Sequence, residues 1–284
     1  MRTVRTKAAI ALAAIAFLLL GFLGFRYWSR QTLIAEANRT ATPLTDIKEK
    51  ITPDALGQYF AGVSGSFVLF DRNKNEWSIY NEKDSQKRVS PCSTFKILNS
   101  LIGLETGVVQ DENTLFKWDG IRYQIPAWNG DHTLASAFSA SVVWYYQRLA
   151  SGVGKERMQR FLDETHYGNA NLSGGLTTFW LDSSLRISPL EQVLFLREFY
   201  ASELPFSPKN IDTVKRIMVL ARGNGSVLSG KTGFAGGHLA WFVGYLETDD
   251  NVLFFATKVE GKGLQTNVAR ILTEEILKHK KLLN

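Results

Sequence analysis

The apolar and polar positions change rhythm three times along the chain. Ala8 to Phe25 is an unbroken apolar run with no charged side chain, behind a basic start of Arg2, Arg5 and Lys7. At about 1.5 Å per residue in a helix it would cross most of a bilayer. Ser29 to Ala61 is mixed and polar, broken at Thr42-Pro43 and Thr52-Pro53, and reads as a tether ending in a short helix. From Gly62 onward the pattern is that of a folded body. Ser66–Phe70 and Trp77–Tyr80 flank a polar turn, as do Leu239–Glu247 and Val252–Val259, which predicts a β-hairpin near each end.

Between the hairpins the periodicity is mainly helical. Ser188-Pro189-Leu190-Glu191 carries a helix start, with Ser188 as cap, Pro189 in the first turn and Glu191 at the reciprocal capping position. Thr266 to Lys280 predicts a final helix with Val268, Ile271, Leu272 and Ile276 on its apolar face. Strands at both ends of a helical middle predict an α+β fold, an antiparallel sheet flanked by helices with an inserted helical lobe. The chain thus divides into a membrane anchor or signal segment over 1–28, a tether over 29–61 and a catalytic domain over 62–284.

Composition narrows the function. The net charge is +6, but Arg2, Arg5, Lys7, Arg26 and Arg30 supply most of it, so the body is nearly neutral and presents no nucleic-acid face. Cys92 is the only cysteine, which excludes an internal disulfide. His132, His166, His238 and His279 are scattered without ligand spacing, so a metal site is not expected. The flank Phe25-Arg26-Tyr27-Trp28 offers no small-x-small cleavage site, which favours an uncleaved anchor over a removed signal peptide. The positive charge before the apolar run places that end inside and the body outside the cytoplasmic membrane.

Candidate chemistry begins at Pro91-Cys92-Ser93-Thr94-Phe95-Lys96, which opens an amphipathic helix stopping near Gly107. If the helix starts at Ser93, that serine and Lys96 share a face. A serine needs a base to become a nucleophile, and a desolvated lysine can lose its charge and serve as one. A second element is Ser229-Gly230-Lys231-Thr232-Gly233-Phe234, leading into an apolar strand; Lys-Thr-Gly at a strand edge offers a cation, a hydroxyl and open backbone to a carboxylate. Ser-x-x-Lys with Lys-Thr-Gly is the pairing of class A β-lactamases and penicillin-binding proteins. Between them stand Ser139-Ala140-Ser141-Val142-Val143-Trp144-Tyr145-Tyr146-Gln147, Tyr167-Gly168-Asn169 and Phe179-Trp180-Leu181.

Taken in order, with Trp128-Asn129-Gly130-Asp131, these motifs resemble the class D (oxacillinase-type) serine β-lactamases from about Gly65 to the last helix. The resemblance implies a serine β-lactamase and penicillin-binding-protein-like fold, a β-lactam substrate and an acyl-enzyme on Ser93. It implies that Lys96 captures carbon dioxide as a carbamate, the general base of both half-reactions, with no other cofactor. Trp180 would hold that carbamate and Val143 line its apolar pocket. Ser141 would pass a proton to the leaving nitrogen. Lys231, Thr232 and Gly233 would meet the substrate carboxylate, and the backbone N–H groups of Ser93 and Phe234 would form the oxyanion hole.

One departure stands out: the family's carboxylate-binding arginine near the last helix has no clean match. Arg270 falls off the apolar face and Lys262 precedes the helix. Two other readings share the nucleophile. A β-lactam sensor would be acylated without turnover, although such receptors carry several membrane spans. A peptidoglycan carboxypeptidase or transpeptidase would leave Trp180 and Tyr167-Gly168-Asn169 unexplained.

Overall fold

The computed structural model describes residues 56–223 and 225–283. The apolar run Ala8 to Phe25 and the tether up to Pro53 lie outside the described residues. Among the described residues no helix is long and apolar enough to cross a membrane.

The sequence hairpins form as expected. β1 (Ser64–Asp71) pairs antiparallel with β2 (Glu76–Tyr80), and both strands precede the short helix α1 (Glu82–Ser85). The chain then enters a 3-10 turn at Cys92–Phe95, which runs into α2 (Lys96–Glu105). After the small ribbon of β3 (Leu115–Phe116) and β4 (His132–Thr133) come α3 (Leu134–Ser139), α4 (Val143–Val153) and α5 (Lys155–Glu164). A long irregular stretch leads to α6 (Pro189–Ala201) and α7 (Pro208–Met218). The chain closes with β5 (Val219–Gly223), β6 (Ser226–Ala235), β7 (Leu239–Thr248), β8 (Val252–Glu260) and α8 (Val268–His279).

The six-stranded sheet has the order β2-β1-β8-β7-β6-β5, with antiparallel neighbours throughout. The first strands of the chain therefore pair with the last, which closes the helical middle between them. Alternation divides the sheet into two faces. Phe67, Leu69, Phe242, Leu246, Phe255 and Val259 form a core with Ala269, Leu272, Ile276 and Leu277 of α8. The opposite face packs on α6. Strand β7 is covered on both sides, which is why it reads as an almost continuous apolar run.

The start of α6 follows its sequence signal: Ser188 Oγ accepts the Glu191 N–H at 3.2 Å, and Glu191 Oε2 accepts the Ser188 N–H at 2.9 Å. Two boundaries differ. Leu56 and Phe60 belong to the α8-side core, so the packed body extends ahead of Gly62. In α8, Ile271 is 44% exposed, and the buried face is Ala269, Leu272, Thr273, Ile276 and Leu277. At about 100° per residue, Ile271 falls on the side of the helix away from that stripe, where it faces solvent.

Candidate active site

The site begins with the way the chain enters α2. The expected helix start at Ser93 is a 3-10 turn over Cys92–Phe95, and the α-helix proper starts at Lys96. In 3-10 geometry residues three apart eclipse one another. The Lys96 Nζ accordingly donates to Ser93 Oγ at 2.8 Å. Ser93 is partly open to solvent, whereas Lys96 is fully buried. Burial pushes the Lys96 ammonium well below the usual lysine range, and the nearby charge of Lys231 pushes in the same direction. No carboxylate pairs with Lys96 among the described residues; its Nζ lies 5.2 Å from the ring centre of Tyr146, whose hydroxyl meets Ser100 Oγ at 2.8 Å.

Strand β6 brings the second element to this turn. Pairing with β5 reaches only as far as Ser229, so the edge from Gly230 to Ala235 is free of β5. Gly233 packs so closely that a Cβ there would come within 2.9 Å of the Pro91 carbonyl and 3.1 Å of Thr94 Cγ2. A side chain at this position would force the strand away from the Cys92–Phe95 turn. Two residues earlier, Lys231 is 5% exposed, and burial lowers its pKa to about 7. Its Nζ donates to the Thr232 carbonyl at 3.1 Å and to Thr232 Oγ1 at 3.4 Å, and lies 5.7 Å from the Phe138 ring centre. Phe138 belongs to α3, so the inserted lobe and the sheet meet at Lys231.

The corner between α3 and α4 carries Ser141 and Val143. Ser141 has a φ of 58°, a left-handed conformation that costs a non-glycine residue about 1 kcal/mol or more. Val143 is the half-buried first residue of α4, behind a fully buried Val142. Trp128 fastens this corner from outside, its indole N–H donating to the Ala140 carbonyl at 3.1 Å.

Trp180 is fully buried, and its ring stacks at a tilt against Phe95, the residue before Lys96, with centroids 5.5 Å apart. Its indole N–H has no acceptor among the described residues. A buried unpaired donor is costly, so this one marks a place where an acceptor belongs.

Comparison with known proteins decides what this arrangement is. The family model for the penicillin binding protein transpeptidase domain matches residues 65–279. The chain is 43% identical over 221 residues to the probable β-lactamase YbxI of Bacillus subtilis, covering 77% of this chain and 82% of that protein. The solved structure of the class D β-lactamase BAT-2 superposes with a TM-score of 0.78 at 42% identity, covering 81% of this chain and 96% of that one. The chain belongs to the class D β-lactamase family. It is also 44% identical over 203 residues to the regulatory protein BlaR1 of Bacillus licheniformis, which covers 70% of this chain but only 34% of that protein.

Within this class D site, Tyr167-Gly168-Asn169 turns out to be a fastening. Tyr167 is buried and its hydroxyl donates to Gln192 Oε1 at 3.4 Å; Gln192 Nε2 donates to Thr94 Oγ1 at 2.8 Å, and Thr94 Oγ1 donates to the Pro91 carbonyl at 2.8 Å. The turn that carries Ser93 is thus tied to α6. Asn169 holds the same loop closed, its amide donating to the Ser184 carbonyl and its oxygen accepting the Arg186 N–H, each at 2.9 Å.

Cys92 is 1% exposed, and burial pushes its thiol up to about 11, which keeps it protonated beside Ser93. Arg270 does not join the class D site. It pairs with Glu274 at 2.7 Å and lies 5.9 Å from the Phe242 ring, on the α8 side of the sheet. Lys262 is exposed in the loop before α8. Sequence reasoning overlooked Ser90, Thr94 and Gln192, because a single polar residue gives no pattern until its partners from distant segments are known.

Proposed function

We propose that this protein hydrolyses the β-lactam ring of penicillin-type antibiotics through an acyl-enzyme on Ser93, and so confers resistance. The observation that carries this reading is the contact between Lys96 and Ser93: a fully buried amine, held below its ordinary pKa, 2.8 Å from a solvent-reachable hydroxyl. A neutral amine is the form that adds to carbon dioxide, releasing one proton and leaving a carbamate. The residues around Lys96 fit such a group, since the buried Trp180 N–H lacks an acceptor. A carbamate on Lys96 supplies a base able to take the proton of Ser93 in acylation and of water in deacylation.

In this reading Ser93 Oγ attacks the lactam carbonyl carbon and the ring C–N bond breaks. Ser141 hands a proton to the departing nitrogen. Lys231 and Thr232 attract the substrate carboxylate, with Gly233 giving it room, while the N–H groups of Ser93 and Phe234 stabilise the oxyanion. Val143 helps to keep water from the buried end of Lys96.

A second reading is supported by the BlaR1 relative, a regulatory protein 44% identical over 203 residues: the domain would be acylated and hold the adduct as a signal. Mixing the purified protein with a chromogenic cephalosporin separates the two. Repeated turnover supports the hydrolase, whereas one equivalent of product followed by a stable adduct supports the receptor. We further propose that the protein acts outside the cytoplasmic membrane, anchored through Ala8 to Phe25. Protease treatment of intact cells would degrade the body if that is so, and leave it whole if it faces the cytoplasm.

A further inference from the structure

Ser90 lies three residues before the nucleophile and is fully buried. Its hydroxyl donates to the Trp180 carbonyl at 2.9 Å, accepts the Asp182 N–H at 2.9 Å and accepts the Cys92 N–H at 3.4 Å. A hydroxyl has one proton to give and two lone pairs to receive with, so all of its capacity is used. Its backbone carbonyl accepts the Trp241 indole N–H at 2.9 Å from strand β7. The neighbouring Val89 and Ile187 exchange backbone bonds of 3.1 and 2.9 Å.

The two peptides that point at this oxygen are both unusual. Cys92 has a φ of 51° and Asp182 a φ of 52°, left-handed conformations that cost a non-glycine residue free energy and persist only where neighbours hold them. One of them immediately precedes Ser93, and the other follows Trp180 by two residues. One oxygen therefore joins the turn that carries the nucleophile to the loop that carries the unpaired indole.

We infer that Ser90 is a positioning residue, whose hydroxyl fixes the Trp180 loop on the nucleophile turn and thereby sets how tightly a carbamate on Lys96 is retained. This rests on the proposed carbamate, and Ser90 touches neither Lys96 nor substrate in the role assigned to it. With alanine at this position the Trp180 carbonyl, the Asp182 N–H and the Cys92 N–H all lose their partner. The loop then samples positions in which the indole no longer meets its acceptor.

The test uses the full chain, freed of carbon dioxide by acid dialysis and then titrated with bicarbonate, with turnover of a chromogenic cephalosporin and the carbonyl signal of 13C-bicarbonate as readouts. Ser90→Ala should need about ten-fold more bicarbonate for half recovery, the worth of roughly one hydrogen bond, yet reach the wild-type kcat at saturation. A purely structural role would lower the active fraction without moving that midpoint. The double variant with Trp180→Phe should shift no further than Trp180→Phe alone, because both changes act on one contact. If Ser90→Ala fails to fold, Ser90→Cys, of similar size and a weaker acceptor, should show a smaller shift of the same sign. An unmoved midpoint in whichever variant folds overturns the role of Ser90. A wild-type protein with no 13C signal and no response to bicarbonate overturns the carbamate itself, and this inference with it.

Discussion

Lys231 and Lys96 are two buried lysines reaching one site from different parts of the fold, and the charge of Lys231 disfavours a proton on Lys96. The strand and the Cys92–Phe95 turn thus bring two amines to one site, and burial disfavours the charged form of both.

A pH dependence of stability follows. Burial holds Lys231 at about 7 in the folded protein, against 10.5 ordinarily. Between these values the unfolded chain binds more protons than the native one, so stability rises with pH across that window, by up to about 1.4 kcal/mol per unit from this group. Below about 7 both states are protonated and the penalty of burying the charge is fully present. Lys231→Met should reduce the slope measured by urea unfolding between pH 7 and about 8.5, before unfolded thiols and phenols titrate, and leave the part that Lys96 contributes. A wild-type slope retained in the variant would refute the assignment.

Lys96→Ala should abolish deacylation while leaving Ser93 in place. Loss of a general base slows a proton transfer by about 10²–10⁴-fold. Mass spectrometry of the variant after prolonged mixing with penicillin should show a slowly formed adduct that persists, with steady turnover near background. Undiminished turnover would overturn the base assignment.

Trp180→Phe keeps an aromatic ring against Phe95 and removes the unpaired N–H. Because any ligand of the native state raises its stability, bicarbonate should raise the wild-type Tm and leave that of the variant nearly unchanged. Equal responses in the two proteins would mean that the indole holds nothing.

Gly168→Ala tests the fastening of the loop. Gly168 has a φ of 58°, and a Cβ there would lie 2.1 Å from the Arg186 carbonyl oxygen. A loss on the order of 3 kcal/mol is expected from strain and a displaced backbone. For a domain of this size that is a fall in Tm of roughly 6–12 °C.

Local patterns in the sequence determined the elements and their chemistry. The hairpins around Asp71-Arg72-Asn73 and Asp249-Asp250-Asn251, the capping box at Ser188 and the pairing of Ser93 with Lys96 depend on neighbours a few residues apart, and spacing encodes them directly. Only the tertiary structure decided which segments meet: that Gly233 abuts Pro91, that Gln192 of α6 reaches Thr94, and that Ser90 binds peptides some ninety residues further on. Such contacts leave no periodic trace, because each joins one polar group or one missing side chain to a partner that folding alone brings near. The burial of Lys96 is of the same kind. Its position beside Ser93 was written in the chain, while its lowered affinity for a proton arises from burial, with Tyr146 of α4 over its amine and the charge of Lys231 of β6 nearby.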